Sequence, residues 1–160
     1  MLTEELSDKL TETVAICDLH YQRMMFAWEK VKMKFPLTEN ILSNLTPIEL
    51  AFFDQLIYRF SKLQDSMGTR LFKQLLEALE EDIYGLPFID ILYKLEKIKL
   101  IDNARDWIAL RQTRNTLSHE YPFYKESQTE ELNLLPDDVL KLINIWSKLR
   151  DYTVNRITNN

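Results

Sequence analysis

Between positions 111 and 121 the chain places Arg111, Arg114, Asn115, Ser118, His119 and Tyr121, where an ordinary surface helix would alternate Glu and Lys. These residue types can do phosphate chemistry. Arg114 offers a fixed fork of donors to a phosphate, and His119 has an intrinsic pKa suited to proton transfer near neutrality. Asn115 could orient the imidazole or hold a neighbouring oxygen. At about 100° per residue, Asn115 and His119 share one helix face and Arg114 and Ser118 another, with Arg111 and Tyr121 bordering the Arg114 side. Arg114 and His119, five positions apart, diverge by roughly 140° on a straight helix. Two devices could bring them to one phosphate. The last turn could distort, because Pro122 disfavours the α conformation at Tyr121, or a second subunit could supply the missing group across a two-fold axis.

The elements that must carry this cluster are read from apolar spacing. Leu6, Leu10, Val14, Cys17, Tyr21, Met24, Trp28, Val31 and Phe35 trace one face of a helix from Leu2 that Pro36 ends, and a polar, irregular link follows over Leu37 to Leu45. Thr46-Pro47-Ile48-Glu49 supplies an N-cap, a first-turn proline and a capping-box glutamate. The stripe from Phe53 to Leu79 then predicts a second helix reaching about Asp82 and bent at Gly68. Beyond Gly85-Leu86-Pro87, a shorter helix spans Phe88 to Ile98. With Asp102 as N-cap, a fourth helix carries Trp107, Leu110, Leu117 and the polar cluster until Pro122 stops it, so the cluster lies at a helix C-terminus. After the stretch Tyr124 to Leu134, Pro136-Asp137-Asp138 opens a fifth helix through Leu140, Ile143, Trp146, Leu149 and Thr153. The expectation is an all-α, single-domain, up-and-down bundle of about five helices over residues 1–160.

Composition narrows the function classes. Two glycines and five prolines in 160 residues are too few for the turns of an all-β fold. One cysteine, Cys17, cannot form an internal disulfide, and the charged N-terminal stretch resembles no cleavable signal, which fits a cytoplasmic protein. No apolar run approaches the roughly 20 residues of a membrane span. His20 and His119 lie far apart and no Cys or His cluster has ligand spacing, which argues against a zinc site; the scattered acidic residues leave a carboxylate metal site open, and the expectation is no metal and no cofactor. A net charge of −5 argues against a general nucleic-acid coat, so any RNA contact must be local. His20 reads as a boundary residue without chemistry, Arg105 and Arg111 as salt-bridge partners, and Trp28, Trp107 and Trp146 as core. Of the two arginines, Arg111 is the better candidate for RNA contact.

The string Arg114-Asn115-Thr116-Leu117-Ser118-His119-Glu120-Tyr121 resembles the Arg-x4-His-x-Tyr motif of HEPN toxins of the HepT type, and Tyr58-Arg59-Phe60 resembles the Arg-Phe helix of those proteins. The resemblance implies a HEPN-like bundle acting as a homodimer, with the active groups gathered at its interface. It implies a metal-independent endoribonuclease toxin acting on RNA, tRNA among the candidates. His119 would take the proton from a ribose 2′-hydroxyl, the oxygen would attack the adjacent phosphorus, and Arg114 would stabilise the phosphoryl charge. A 2′,3′-cyclic phosphate would remain. Catalysis would then rest on Arg114, His119 and Asn115, and RNA contact on Arg111 and Ser118. The implied partner is a nucleotidyltransferase antitoxin of the MNT type, which would modify Tyr121 with AMP. The alternative is a catalytically silent HEPN-type subunit bound to such a partner.

Overall fold

In the computed structural model, which describes residues 2–119 and 129–160, the first helix is set by its cap. Thr3 accepts a hydrogen bond from the Leu6 amide at 3.2 Å, and Glu4 and Glu5 complement the positive end of the helix dipole. Helix α1 (Glu4–Val31) buries Leu10, Val14, Cys17, Met24, Trp28 and Val31, and a 3-10 turn over Lys32–Lys34 leads to Pro36. The apolar spacing through Phe35 thus outruns the α-helix. A second departure follows in the polar link. Thr38 caps α2 (Glu39–Ser43) by accepting from the Ile41 amide at 3.2 Å, a short helix the expected irregular segment did not include.

Thr46 caps α3 (Pro47–Ser66) as expected, accepting from the Glu49 amide at 3.2 Å. The helical path then crosses Gly68 through a π-helical turn, Met67–Leu71, where the Phe72 amide donates to the Met67 carbonyl, before α4 (Phe72–Ala78). The path stops short of Asp82 because Glu80 takes a left-handed φ of 58°. The amides of Glu80 and Glu81 reach back to the carbonyls of Glu77 and Leu76 at 2.9 and 3.0 Å, the paired bonds of a Schellman cap. Lys99 (φ 63°) ends α5 (Phe88–Lys97) in the same way, with Leu100 donating to Leu95 at 2.9 Å.

Asn103, not Asp102, caps α6 (Ala104–His119): its Oδ1 accepts from the Asp106 amide at 2.8 Å, while the Asp102 carboxylate accepts from Lys148. Within the stretch Tyr124 to Leu134, for which the apolar spacing predicts no helix, lies α7 (Thr129–Leu132), and α8 (Leu135–Thr158) opens with Pro136 in its first turn. No strand occurs among the described residues. The fold is an all-α helical bundle in one compact domain, with one cluster of buried side chains running from Leu2 to Leu149. Trp107 and Trp146 are fully buried within it and Trp28 nearly so.

Helix α6 is gripped from three directions. Trp107, Leu110 and Leu117 enter the core, where Trp107 meets Phe72 edge-on at 4.6 Å between centroids. On one flank the Thr113 hydroxyl donates to the buried Asp138 of α8 at 2.6 Å. The other flank faces α3, and the arginines lie there.

Candidate functional site

Arg111 and Arg114, one turn apart on α6, converge on one carboxylate of α3. Arg111 Nη1 donates to Asp65 Oδ1 at 2.7 Å, and Arg114 Nη2 donates to Asp65 Oδ2 at 3.0 Å. Burial pushes the Asp65 carboxyl up, but the hydrogen bonds and charges of the two arginines outweigh it and hold the group below its ordinary value. Arg114 Nη1 also donates to Asn115 Oδ1 at 3.1 Å. Asn115 therefore braces the guanidinium. Of the five N–H groups of Arg114, these bonds use two, and Nε is buried without a partner. One N–H on each terminal nitrogen is left for an anion.

Two hollows flank this clamp and share Asp65. One, of about 290 Å³, is lined by Asp54, Tyr58, Lys62, Asp65, Arg114, Leu117 and Ser118 among others. The other, of about 280 Å³, is lined by Gln64, Asp65, Gly68, Thr69, Lys73, Phe88 and Arg111. Together they bring Lys62, Lys73, Arg111 and Arg114 against Asp54 and Asp65, four cations to two acids. A chain of net charge −5 thus carries a locally positive surface at the arginines.

The sequence-derived residues divide accordingly. Arg111, Arg114, Asn115 and Ser118 stand together on or beside the clamp, with Asn115 and Ser118 exposed. Arg111 is both a salt-bridge partner and a pocket residue. The backbone of α6 remains α-helical to His119, so position 119 stands one turn beyond Asn115 and about 140° around the axis from position 114. Tyr121 and Pro122 lie outside the described residues.

His20 is half-buried at the boundary, as its place in the sequence suggests, and it has a partner on α3. Its Nδ1 lies 2.8 Å from Arg59 Nη1. Arginine can only donate, so His20 accepts there, and burial followed by the Arg59 charge lowers its pKa. Arg59 and Lys62 also stand over the exposed Tyr58 ring, at 5.1 and 5.6 Å. The Tyr58-Arg59-Phe60 segment is split by this packing: Phe60 is core, while Tyr58 lines the Arg114 hollow and Arg59 is tied to α1.

Sequence spacing missed Asp65 and Gln64. Neither stands out locally, although Gln64 sits seven residues after Ile57 on a face otherwise destined for the core. Cys17 offers no alternative nucleophile, since burial pushes its thiol up to about 12. Among the described residues no group of His, Cys, Asp and Glu is placed to hold a metal ion, and no helix is long and apolar enough to cross a membrane. No family model, curated protein or solved structure matches this chain.

Proposed function

We propose that the chain is a metal-independent endoribonuclease of the HEPN toxin type, active as a two-fold homodimer and restrained by a partner nucleotidyltransferase. The observation that carries this reading is the Arg114 guanidinium, braced by Asp65 and Asn115 with donors to spare, one helical turn before the His119 end of α6. A cation fixed before substrate arrives is what stabilisation of a phosphoryl transition state requires. The proton acceptor is His119. With α6 helical up to that residue, this reading has the angular gap closed by a second copy, whose His119 would meet this chain's Arg114.

The substrate brings its own nucleophile. His119 removes the 2′-hydroxyl proton, the oxygen bonds to phosphorus, and the 5′-oxygen leaves with a proton, giving a 2′,3′-cyclic phosphate and a 5′-hydroxyl. Arg114 balances the charge on the non-bridging oxygens. Purified protein incubated with total RNA or tRNA in EDTA will therefore cut it. Uncut RNA would leave the silent binding subunit as the surviving reading, and cleavage abolished by EDTA but restored by Mg²⁺ would sink the mechanism.

Regulation is assigned to Tyr121, two residues beyond His119. An adenylyl group on its hydroxyl adds a phosphodiester charge and a bulky base close to His119, where it can pair with Arg114 and fill the space of an RNA phosphate. Mass spectrometry of protein co-expressed with its nucleotidyltransferase will show AMP on Tyr121. Unmodified Tyr121 in a fully neutralised sample would replace modification with occlusion.

A further inference from the structure

The hollow beside Arg111 holds an anomaly. Gln64 is wholly buried, yet neither its amide oxygen nor its amide nitrogen has a hydrogen-bond partner. An unpaired buried amide is unfavourable, and such a group calls for an explanation in terms of what it awaits. Gln64 lines a hollow of about 280 Å³, at the lower edge of the roughly 300 to 1,000 Å³ of small-molecule sites. One ring system fits that volume better than a whole cofactor.

The walls have matching chemistry. Phe88, a residue 39% exposed, lines the hollow and is backed by the buried Phe72 in a stacked arrangement at 6.4 Å and 14°. Gly68, at the π-helical turn, withholds a side chain from the same wall: a Cβ there would stand 3.4 Å from Trp107 and 3.6 Å from Phe88. π-Helical turns often mark functional sites. Arg111 and Lys73 also line it, one positioned by Asp65 and the other exposed.

We infer that this hollow is a nucleobase subsite, in which the Gln64 carboxamide pairs with adjacent donor and acceptor atoms on a base edge, Phe88 stacks on the ring, and Arg111 and Lys73 face the attached phosphate. A carboxamide presents one donor side and one acceptor side in a plane, the pattern with which glutamine reads a base edge. Aromatic stacking accommodates any base, so selection falls to Gln64. The inference deepens the nuclease reading and rests on it for its role. The subsite would hold the base of a nucleotide adjoining the bond cut at Arg114, and so set which sequences are cleaved.

The test separates the subsite from the nuclease. The four 5′-mononucleotides and their nucleosides are titrated into the intact protein and binding is followed by NMR. At least one mononucleotide is expected to bind in the millimolar range or better, more tightly than its nucleoside and with shifts centred on Gln64 and Phe88. Gln64→Leu, which conserves volume and removes the unpaired amide, will weaken binding by about tenfold or more, the loss expected of one bidentate pair. Phe88→Ala provides an independent loss, while Arg114→Ala, outside this hollow, retains nucleotide binding even as it removes cleavage. Undetectable binding at 10 mM, taken as roughly the weakest useful affinity, would overturn the subsite, as would unchanged binding in Gln64→Leu. Cleavage of RNA without binding of mononucleotides would leave the nuclease and remove the subsite. Binding without cleavage would do the reverse.

Discussion

Alanine at Arg114 and alanine at His119 will each lower RNA cleavage by a factor of about 100 to 1,000 while leaving the fold intact. The magnitude follows from what each group supplies. In the proposed mechanism Arg114 places positive charge where the phosphoryl group becomes more negative, and a pre-positioned donor of this kind is worth about 3 to 4 kcal/mol in the transition state. On the same mechanism His119 would supply general-base catalysis of comparable weight. For Arg114 the fold should survive because its side chain lies outside the buried core. Circular dichroism and melting curves beside the cleavage assay check both halves of the expectation. Activity retained in His119→Ala would remove the histidine from the mechanism.

The divergence of the two positions on α6 adds a sharper result. If each site takes Arg114 from one chain and His119 from the other, mixing the two dead variants rebuilds one intact site in every mixed dimer. With random exchange, half of the dimers are mixed and half of their sites are whole, so about a quarter of the wild-type activity returns. A site confined to one chain would recover nothing. A monomer in sedimentation at micromolar concentration would likewise exclude the shared site.

The legible and illegible parts of this chain separate by distance along the sequence. Thr46-Pro47 announced a helix start because capping is a matter of three or four residues, and Thr46 does accept from Glu49. Gly68 announced an irregularity, but a bend and a π-helical turn leave the same mark in an apolar stripe. The stop after Ala78 was hidden because its left-handed cap residue is Glu80 rather than glycine. The cap of α6 was misplaced by one residue between two neighbours, Asp102 and Asn103, that are both good N-caps. Arg114 and Arg111 were readable as reactive residue types. Their shared partner was not, since Asp65 lies 46 and 49 residues away and only the packing of α3 on α6 brings it there. The same holds for His20 and Arg59, 39 residues apart, and for Gln64, whose lack of a partner is a property of the folded surroundings alone.

Replacing Asp65 with alanine will separate two quantities that most site mutations move together: binding of RNA will tighten while turnover falls. The carboxylate lies between two guanidiniums and cancels one of their two positive charges. Removing it raises the local charge facing an incoming phosphate, and KM should fall, most clearly at low salt where screening is weak. The carboxylate also fixes the Arg114 fork, leaving Asn115 as its other brace, so its loss frees the side chain to sample unproductive geometries. Turnover should drop about tenfold, less than the loss for Arg114→Ala because the charge itself remains. Stability offers a readout independent of RNA. At 27% side-chain exposure Asp65 stands between an exposed pair, worth under about 1 kcal/mol, and a buried one, whose disruption costs about 3 to 5 kcal/mol, so a loss of about 2 kcal/mol is expected at neutral pH. The pH dependence fixes the sign. Because the folded carboxyl titrates below its unfolded value, its contribution is complete above about pH 4 and disappears as pH falls through the lower folded pKa. Urea unfolding of the wild type and Asp65→Ala should therefore differ at neutral pH and converge in strong acid. A constant difference at every pH, or an unchanged kcat beside a lower KM, would show that Asp65 does not position Arg114.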